Sequence, residues 1–302
     1  GHTLADLQAN LADLSALPVV ISLHGFNASR VTGFVLADTA GRAGAAVLAI
    51  DYYQHGDRAA SATDDLHAIR GDVAGPDGFA ETSQLDVSAR IFGLSGVESR
   101  TELSPDYALG AVLQLASDAM ATVRLVRDGD VSALRAAAPE LAALSFDPSR
   151  VFVVGNSFGA EITTLLLSVE RTVAGAVLNV LPGSLVDNLV ESPEFRPFTE
   201  SLFLPALGLS GPFVEPARGL DFDLVIDLYR FALEPVDPLA LAPHLWRDPV
   251  VDGGAPDLLV QLGGLDEVAS RRSSEAAAAA LGVPTTPALT LARTDEPTTP
   301  VH

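Results

Sequence analysis

The sequence predicts an α/β fold: a mostly parallel sheet with helices on both faces and a helical cap inserted between strands. Three observations predict it. Short β-branched apolar runs recur at 18–24, 45–53, 149–155, 173–180, 256–263 and 287–293, the pattern of buried strands. Helix-period segments separate them, and strand, helix, strand at this spacing is the βαβ unit of a parallel sheet. Between two of the strands lies 183–249, which is too long and too apolar for a plain connection.

The elements follow in order. Residues 4–17 have helical spacing and stop at Pro18. "PVVISLH" (18–24) is the first strand, 28–44 a helix closing on glycines, and "AAVLAIDYY" (45–53) the second strand. Residues 54–104 are polar and rich in Gly, Asp and Ser, an excursion off the sheet. A long helix spans 105–128, with Pro105 in its first turn, and a second covers about 130–143. "SRVFVVG" (149–155) is the third strand, and 157–170 the helix after it. After the strand 173–180 come the cap, the strand 256–263, a helix over 266–282 stopped by Gly282, and a last strand at 287–293. This divides the chain into a core (1–182), a cap (183–249) and the rest of the core (250–302).

Composition bounds the function. The 302 residues carry 39 acidic side chains against 18 basic ones, all arginine, for a net charge of −21. Such a surface opposes nucleic acid and anionic membranes. No apolar run in the sequence reaches the ~20 residues that span a bilayer, so no stable membrane insertion is expected. There is no cysteine, which removes disulfides, thiolate metal sites and a cysteine nucleophile. Asp64, Asp65 and His67 fit no standard zinc or calcium spacing, and neither metal nor cofactor is expected. The sequence is silent on oligomeric state.

"VFVVGNSFGAEITTLL" (151–166) carries the chemistry. Gly155-Asn156-Ser157-Phe158-Gly159 is a G-x-S-x-G at a strand-to-helix junction, where a nucleophile elbow exposes its serine. Oxyanion donors then come from the backbone N–H of Phe158 and, across the turn after the first strand ("LHGFN", 23–27), of Phe26. Asp266 follows the strand 256–263 and is the expected acid, with Asp187 as runner-up. A helix cap is the plain alternative for Asp266. Of six histidines, only His302 follows both Asp266 and the last strand, so the order Ser157, Asp266, His302 suits this class; His244 is the fallback. The expected pocket gathers His24, Asn27, Asn156, Phe198, Phe203, Phe213 and Trp246, with Phe195 and Phe222 among the cap's aromatics. The plain alternative for the cap aromatics is the cap's own core.

With these motifs the chain resembles the α/β-hydrolase superfamily, and more narrowly the bacterial virulence-factor-type extracellular lipases. The signature is "PVVISLHGFNAS", "AVLAIDYYQHGDR", "DPSRVFVVGNSFGAEI" and "LVQLGGLDEV", in that order over roughly 18–282. The resemblance implies Ser157 as nucleophile, Asp266 as acid, a Phe26/Phe158 oxyanion hole, ester substrates (small, lipid-like or polymeric) and usually export, hence a secreted or envelope location. Asn156 and Phe158 stand where relatives more often have His and Leu. Few residues precede the first strand, and the usual glycine-flanked late histidine is missing. Two other readings stay open: a non-catalytic binding module on this fold, and an amidase or acyltransferase using the same triad.

Overall fold

Leu17–Leu23 forms β1, an interior strand of the sheet, and Val19, Ile21 and Leu23 alternate onto one face and are wholly buried there. The structure is a computed structural model, which describes residues 14–26, 28–53, 55, 58, 93–95, 102–209, 220–245, 247–264 and 266–283. The expected helix over 4–17 lies almost wholly outside the described residues, and the strand at 287–293 wholly so.

After β1 come helix α1 (Phe34–Arg42), strand β2 (Ala46–Ala49) and the long helix α2 (Pro105–Asp128). Strand β3 (Phe146–Asn156) leads into helix α3 (Phe158–Val169), then strand β4 (Gly175–Asn179) and helix α4 (Leu185–Glu191). Helix α5 (Leu220–Leu233), strand β5 (Asp257–Gln261) and helix α6 (Arg271–Leu281) complete the series. The sheet order is β2-β1-β3-β4-β5, and every pairing is parallel.

In register, Ile21, Val153, Ala176 and Leu258 form one row across four strands. That face packs on α2 and α3 in a continuous hydrophobic core. The turn that opens α1 lies on the other face: a Cβ on Gly33 would stand 2.8 Å from Ala49 Cβ and 3.6 Å from Ser22 Cβ. The chain steps from β1 to β2 in one direction and from β3 to β4 in the other. Right-handed crossovers then put α1 and α3 on opposite faces. They also open a crevice between the ends of β1 and β3, the switch point where ligands bind in such sheets.

The long helix α2 starts where Ser104 Oγ accepts the Tyr107 N–H, and it ends at left-handed Gly129 (φ 67°). Its length and hydropathy would suffice to cross a membrane. Here its stripe of Ala108, Val112, Leu115, Ala119, Val123 and Val126 is buried against β3 and α3.

Three expectations are corrected. The segment 28–44 is not one helix: Ser29 caps a 3-10 turn, Arg30–Gly33, and the α-helix follows it. Asp51 fixes that turn by accepting the Arg30 backbone N–H at 2.6 Å and pairing with its guanidinium. Strand β2 stops at Ala49, and past it the His55 N–H donates back to the Tyr52 carbonyl at 2.9 Å. The helix expected over 266–282 begins only at Arg271, capped by Ser270. Asp266 instead closes a preceding turn, accepting the Val268 and Ala269 N–H groups at 2.8 and 2.9 Å.

The inserted segment is helical in its described parts: α4, the turns through Arg196–Ala206 with a π-helical stretch at Thr199–Phe203, α5, and short turns to Leu245. It shares its core with the sheet layer, since Leu185, Phe203, Ile226 and Leu245 join the same cluster as Ile21 and Val153. At its return, Arg171 donates to the carbonyls of Leu245 (2.6 Å) and His244 (2.7 Å), tying it to the chain just past α3.

Candidate active site

Ser157 is held at φ 53°, ψ −119°, one of three non-glycine residues with positive φ among the described residues. Such backbone costs on the order of 1–3 kcal/mol and persists only where its surroundings enforce it. The enforcement is visible. The Ser157 N–H donates to the Asn179 carbonyl at the end of β4, 2.8 Å away, and the Ser157 carbonyl accepts the Ala160 N–H at 2.7 Å. A Cβ on Gly155 would collide with the Gly159 carbonyl and Thr163 Oγ1, and one on Gly159 with the carbonyls of Leu23 and His24. The two glycines therefore let α3 press directly onto the ends of β3 and β1. Phe158 N–H opens the helix, where no intrahelical acceptor exists and the helix dipole favours negative charge.

The loop after β1 lies beside the serine. A Cβ on Gly25 would come within 3.3 Å of Ser157 Cβ and 3.1 Å of Asn156 Nδ2. Phe26 meets Phe158 and Phe195 edge-on, both with centroids 5.6 Å apart. His24 does not enter the pocket, contrary to expectation. It is 1% exposed; its Nδ1–H donates to the Gly25 carbonyl at 2.8 Å and its Nε2 accepts the Tyr52 N–H at 3.2 Å. Burial lowers its pKa to about 4, against a smaller raising effect of the Gly25 bond. His55, its ring centroid 5.0 Å from that of His24, is lowered to about 3 by burial and then by His24. Both are neutral framework groups that staple the β1 loop to the β2 loop.

Asp266 is half-buried beyond the end of β5. One oxygen serves the turn described above, and Oδ2 has no hydrogen-bond partner among the described residues. With strands ~4.8 Å apart, β3 and β5 stand roughly 10 Å apart, room for an imidazole between Ser157 and Asp266. The runner-up acid, Asp187, is taken: Arg230 donates to its Oδ1 through Nε (2.9 Å) and Nη2 (2.5 Å). The fallback base, His244, is also excluded. Its carbonyl holds Arg171, beyond the C-terminal end of α3, whereas Ser157 sits at the N-terminal end, a 12-residue helix or ~18 Å away. Among the described residues no histidine bonds to Ser157 Oγ. His302, Asn27, Phe213 and Trp246 lie outside the described residues.

A partly open pocket lies at Ser157, with about 310 Å³ of empty space when the open solvent at its mouth is counted. Its hydrocarbon walls are Phe26, Phe158, Pro182, Leu185, Phe195 and Val268, and its polar groups are Ser157, Glu161 and Asn188. Phe198 and Phe203 are buried in the common core instead (3% and 0% exposed), because the insertion packs on the sheet layer. Asn156 is exposed, its Oδ1 accepting from Asn179 Nδ2 at 2.6 Å. Sequence reasoning missed Glu161. The signal was present as a lone charge in the otherwise uncharged helix "FGAEITTLLLSV".

Five parallel strands in this order, with a strained serine elbow after β3 and a carboxylate after β5, make up the α/β-hydrolase fold. No protein-family model and no curated protein matches the chain. Among solved structures, it is similar to acetyl xylan esterase 1 from Thermoanaerobacterium sp. at 16% identity, over 88% of this chain and 66% of that one, with a TM-score of 0.48. It is also similar to an esterase from Pyrobaculum calidifontis (18%, 89% and 64%, TM-score 0.43). A third is a carboxyl esterase from Bacillus coagulans (14%, 89% and 78%, TM-score 0.42). The chain thus spans about two thirds of the length of the first two.

Proposed function

We propose that the chain is a serine hydrolase of small carboxylic esters. The observation that carries this is the Ser157 elbow, whose strained backbone is enforced by two glycines that tolerate no Cβ, at the mouth of an apolar pocket. In this reading Ser157 Oγ attacks the ester carbonyl as His302 takes its proton. The Phe158 and Phe26 N–H groups receive the oxyanion. The imidazolium, oriented by Asp266, protonates the departing alcohol, and water then releases the acid from the acyl-enzyme by the same route. The narrower likeness to exported virulence-factor-type lipases, and a secreted location, belong to this reading on the sequence motifs alone.

The test is labelling with a fluorophosphonate together with hydrolysis of p-nitrophenyl acetate. Ser157→Ala abolishes both while changing stability by less than about 1 kcal/mol. His302→Ala lowers turnover by several orders of magnitude, because the three groups act as a unit. Turnover retained in Ser157→Ala sinks the proposal; turnover retained in His302→Ala moves the base to His2 or His67.

A further inference from the structure

Glu161 has no role in the reaction just described, yet it lines the same pocket. It lies on α3 one turn past Ser157, about 6 Å along the axis. Glu161 is 4% exposed, its Oε2 is sealed from solvent, and its side chain makes no hydrogen bond to any described residue. Buried carboxyl groups are ordinarily paired or bonded, so one left without a partner against a cavity wants a ligand group. Its surroundings specify the sign of that group. Among the described residues, Tyr52 and Asp237 are the ionisable groups that act on it electrostatically or are acted on by it. No cationic side chain is among them. Asp237 is itself bonded to Ser184 Oγ (2.8 Å) and the Leu239 N–H (2.9 Å), with Asp187 beyond it. A second carboxyl therefore adds negative potential behind the first.

We propose that this pocket is an ammonium-selective subsite, in which the Glu161 carboxylate is the counter-ion of a substrate amine and the aromatic walls hold the hydrocarbon next to it. The inference rests on the serine-hydrolase reading for the word substrate, and it narrows that substrate class to aminoacyl-type esters or amides. Two further observations support it. Phe26, Phe158 and Phe195 supply aromatic rings at the pocket, a setting favourable to a cation. Burial, and then the charge of Asp237, push the Glu161 carboxyl well above its ordinary range. An ammonium beside the carboxyl acts against both causes and favours the charged form.

The test uses binding, so that it stands even if hydrolysis is absent. Phenethylammonium and its neutral counterpart 2-phenylethanol are titrated calorimetrically into the wild type, Ser157→Ala and Glu161→Gln. The wild type and Ser157→Ala prefer the ammonium at least tenfold, and in Glu161→Gln the ratio falls to about one. In the wild type the preference grows with rising pH as Glu161 ionises, with proton uptake by the buffer. Asp237→Asn, which removes the charge behind Glu161, shifts that rise to lower pH. Equal binding of the two probes by the wild type, a preference kept by Glu161→Gln, or a preference flat with pH overturns the proposal. Fluorophosphonate labelling reports on Ser157 separately, so failure of the esterase reading and failure of the subsite give different results.

Discussion

Ser157 keeps its unfavourable backbone because three neighbours leave it no other. Its N–H is fixed to Asn179 on β4, and the glycines on either side admit contacts that any Cβ would block. Two variants separate strain from chemistry. Gly159→Ala drives a methyl into the carbonyl oxygens of Leu23 and His24, so α3 must lift from β1. The expected cost is at least about 2–3 kcal/mol in urea unfolding, with loss of fluorophosphonate labelling. Ser157→Gly also loses labelling, but it gains roughly 1 kcal/mol over Ser157→Ala, because glycine adopts φ 53° without penalty. If Gly159→Ala is as stable as the wild type, the close approach of α3 to β1 is wrong. The motif letters gave the elbow its place in the sequence. That Leu23 and His24 crowd Gly159 depends on segments more than 100 residues apart, and no local pattern carries that.

Elements with one dominant signal were legible. The helix at 105–128 has a Ser-Pro start and a glycine end with an apolar stripe between, and its limits agree with the sequence reading. The strands at 17–23, 146–156, 175–179 and 257–261 were found because buried parallel strands are apolar runs bounded by turns. The start of α6 was not, because Asp266 and Ser270 are both good caps four residues apart. Only tertiary contacts decide between them: Ser270 is also held by Asn188 and Glu191 on α4. The return of the insertion was likewise hidden, since nothing in the sequence marks Arg171 as its anchor. Arg171→Met keeps the hydrocarbon stem and removes both bonds to the Leu245 and His244 carbonyls. Stability should fall by about 2 kcal/mol, and proteolysis should become faster near residue 245. A midpoint within experimental error of the wild type would show that the latch contributes nothing.

At the scale of the whole molecule, sequence reasoning assigned aromatic residues of the insertion to the pocket, whereas the fold spends Phe198 and Phe203 on a core common to both layers. The polar interior was equally hidden. His24 and His55, Tyr52, Glu161 and Asp237 come together from four segments, and their protonation sets how stability responds to pH. The histidines are depressed to about 4 and about 3. Their contribution is therefore fully present above the unfolded value of ~6.5 and is lost as pH falls toward the folded values, roughly 3 kcal/mol for His24 alone. Glu161 and Asp237 are shifted upward. Their neutral forms stabilise the fold below the unfolded value of ~4, and that stability is lost as pH rises through the folded values. Self-repulsion from a net charge of −21 acts in the same direction on the alkaline side. A mildly acidic optimum follows, with an acid limb that begins near ~6.5 and belongs to the histidines. His55→Phe isolates that limb. It fills the same buried site, removes an imidazole nitrogen that has no partner among the described residues, and leaves only the Tyr53 carbonyl to be hydrated. Denaturation midpoints measured across pH should fall less steeply below pH ~6.5 in the variant than in the wild type, with little change at neutral pH. An acid limb of the same slope in both proteins would mean that His55 takes up its proton as readily in the fold as in the unfolded chain, and the buried neutral staple between the two loops would have to be abandoned.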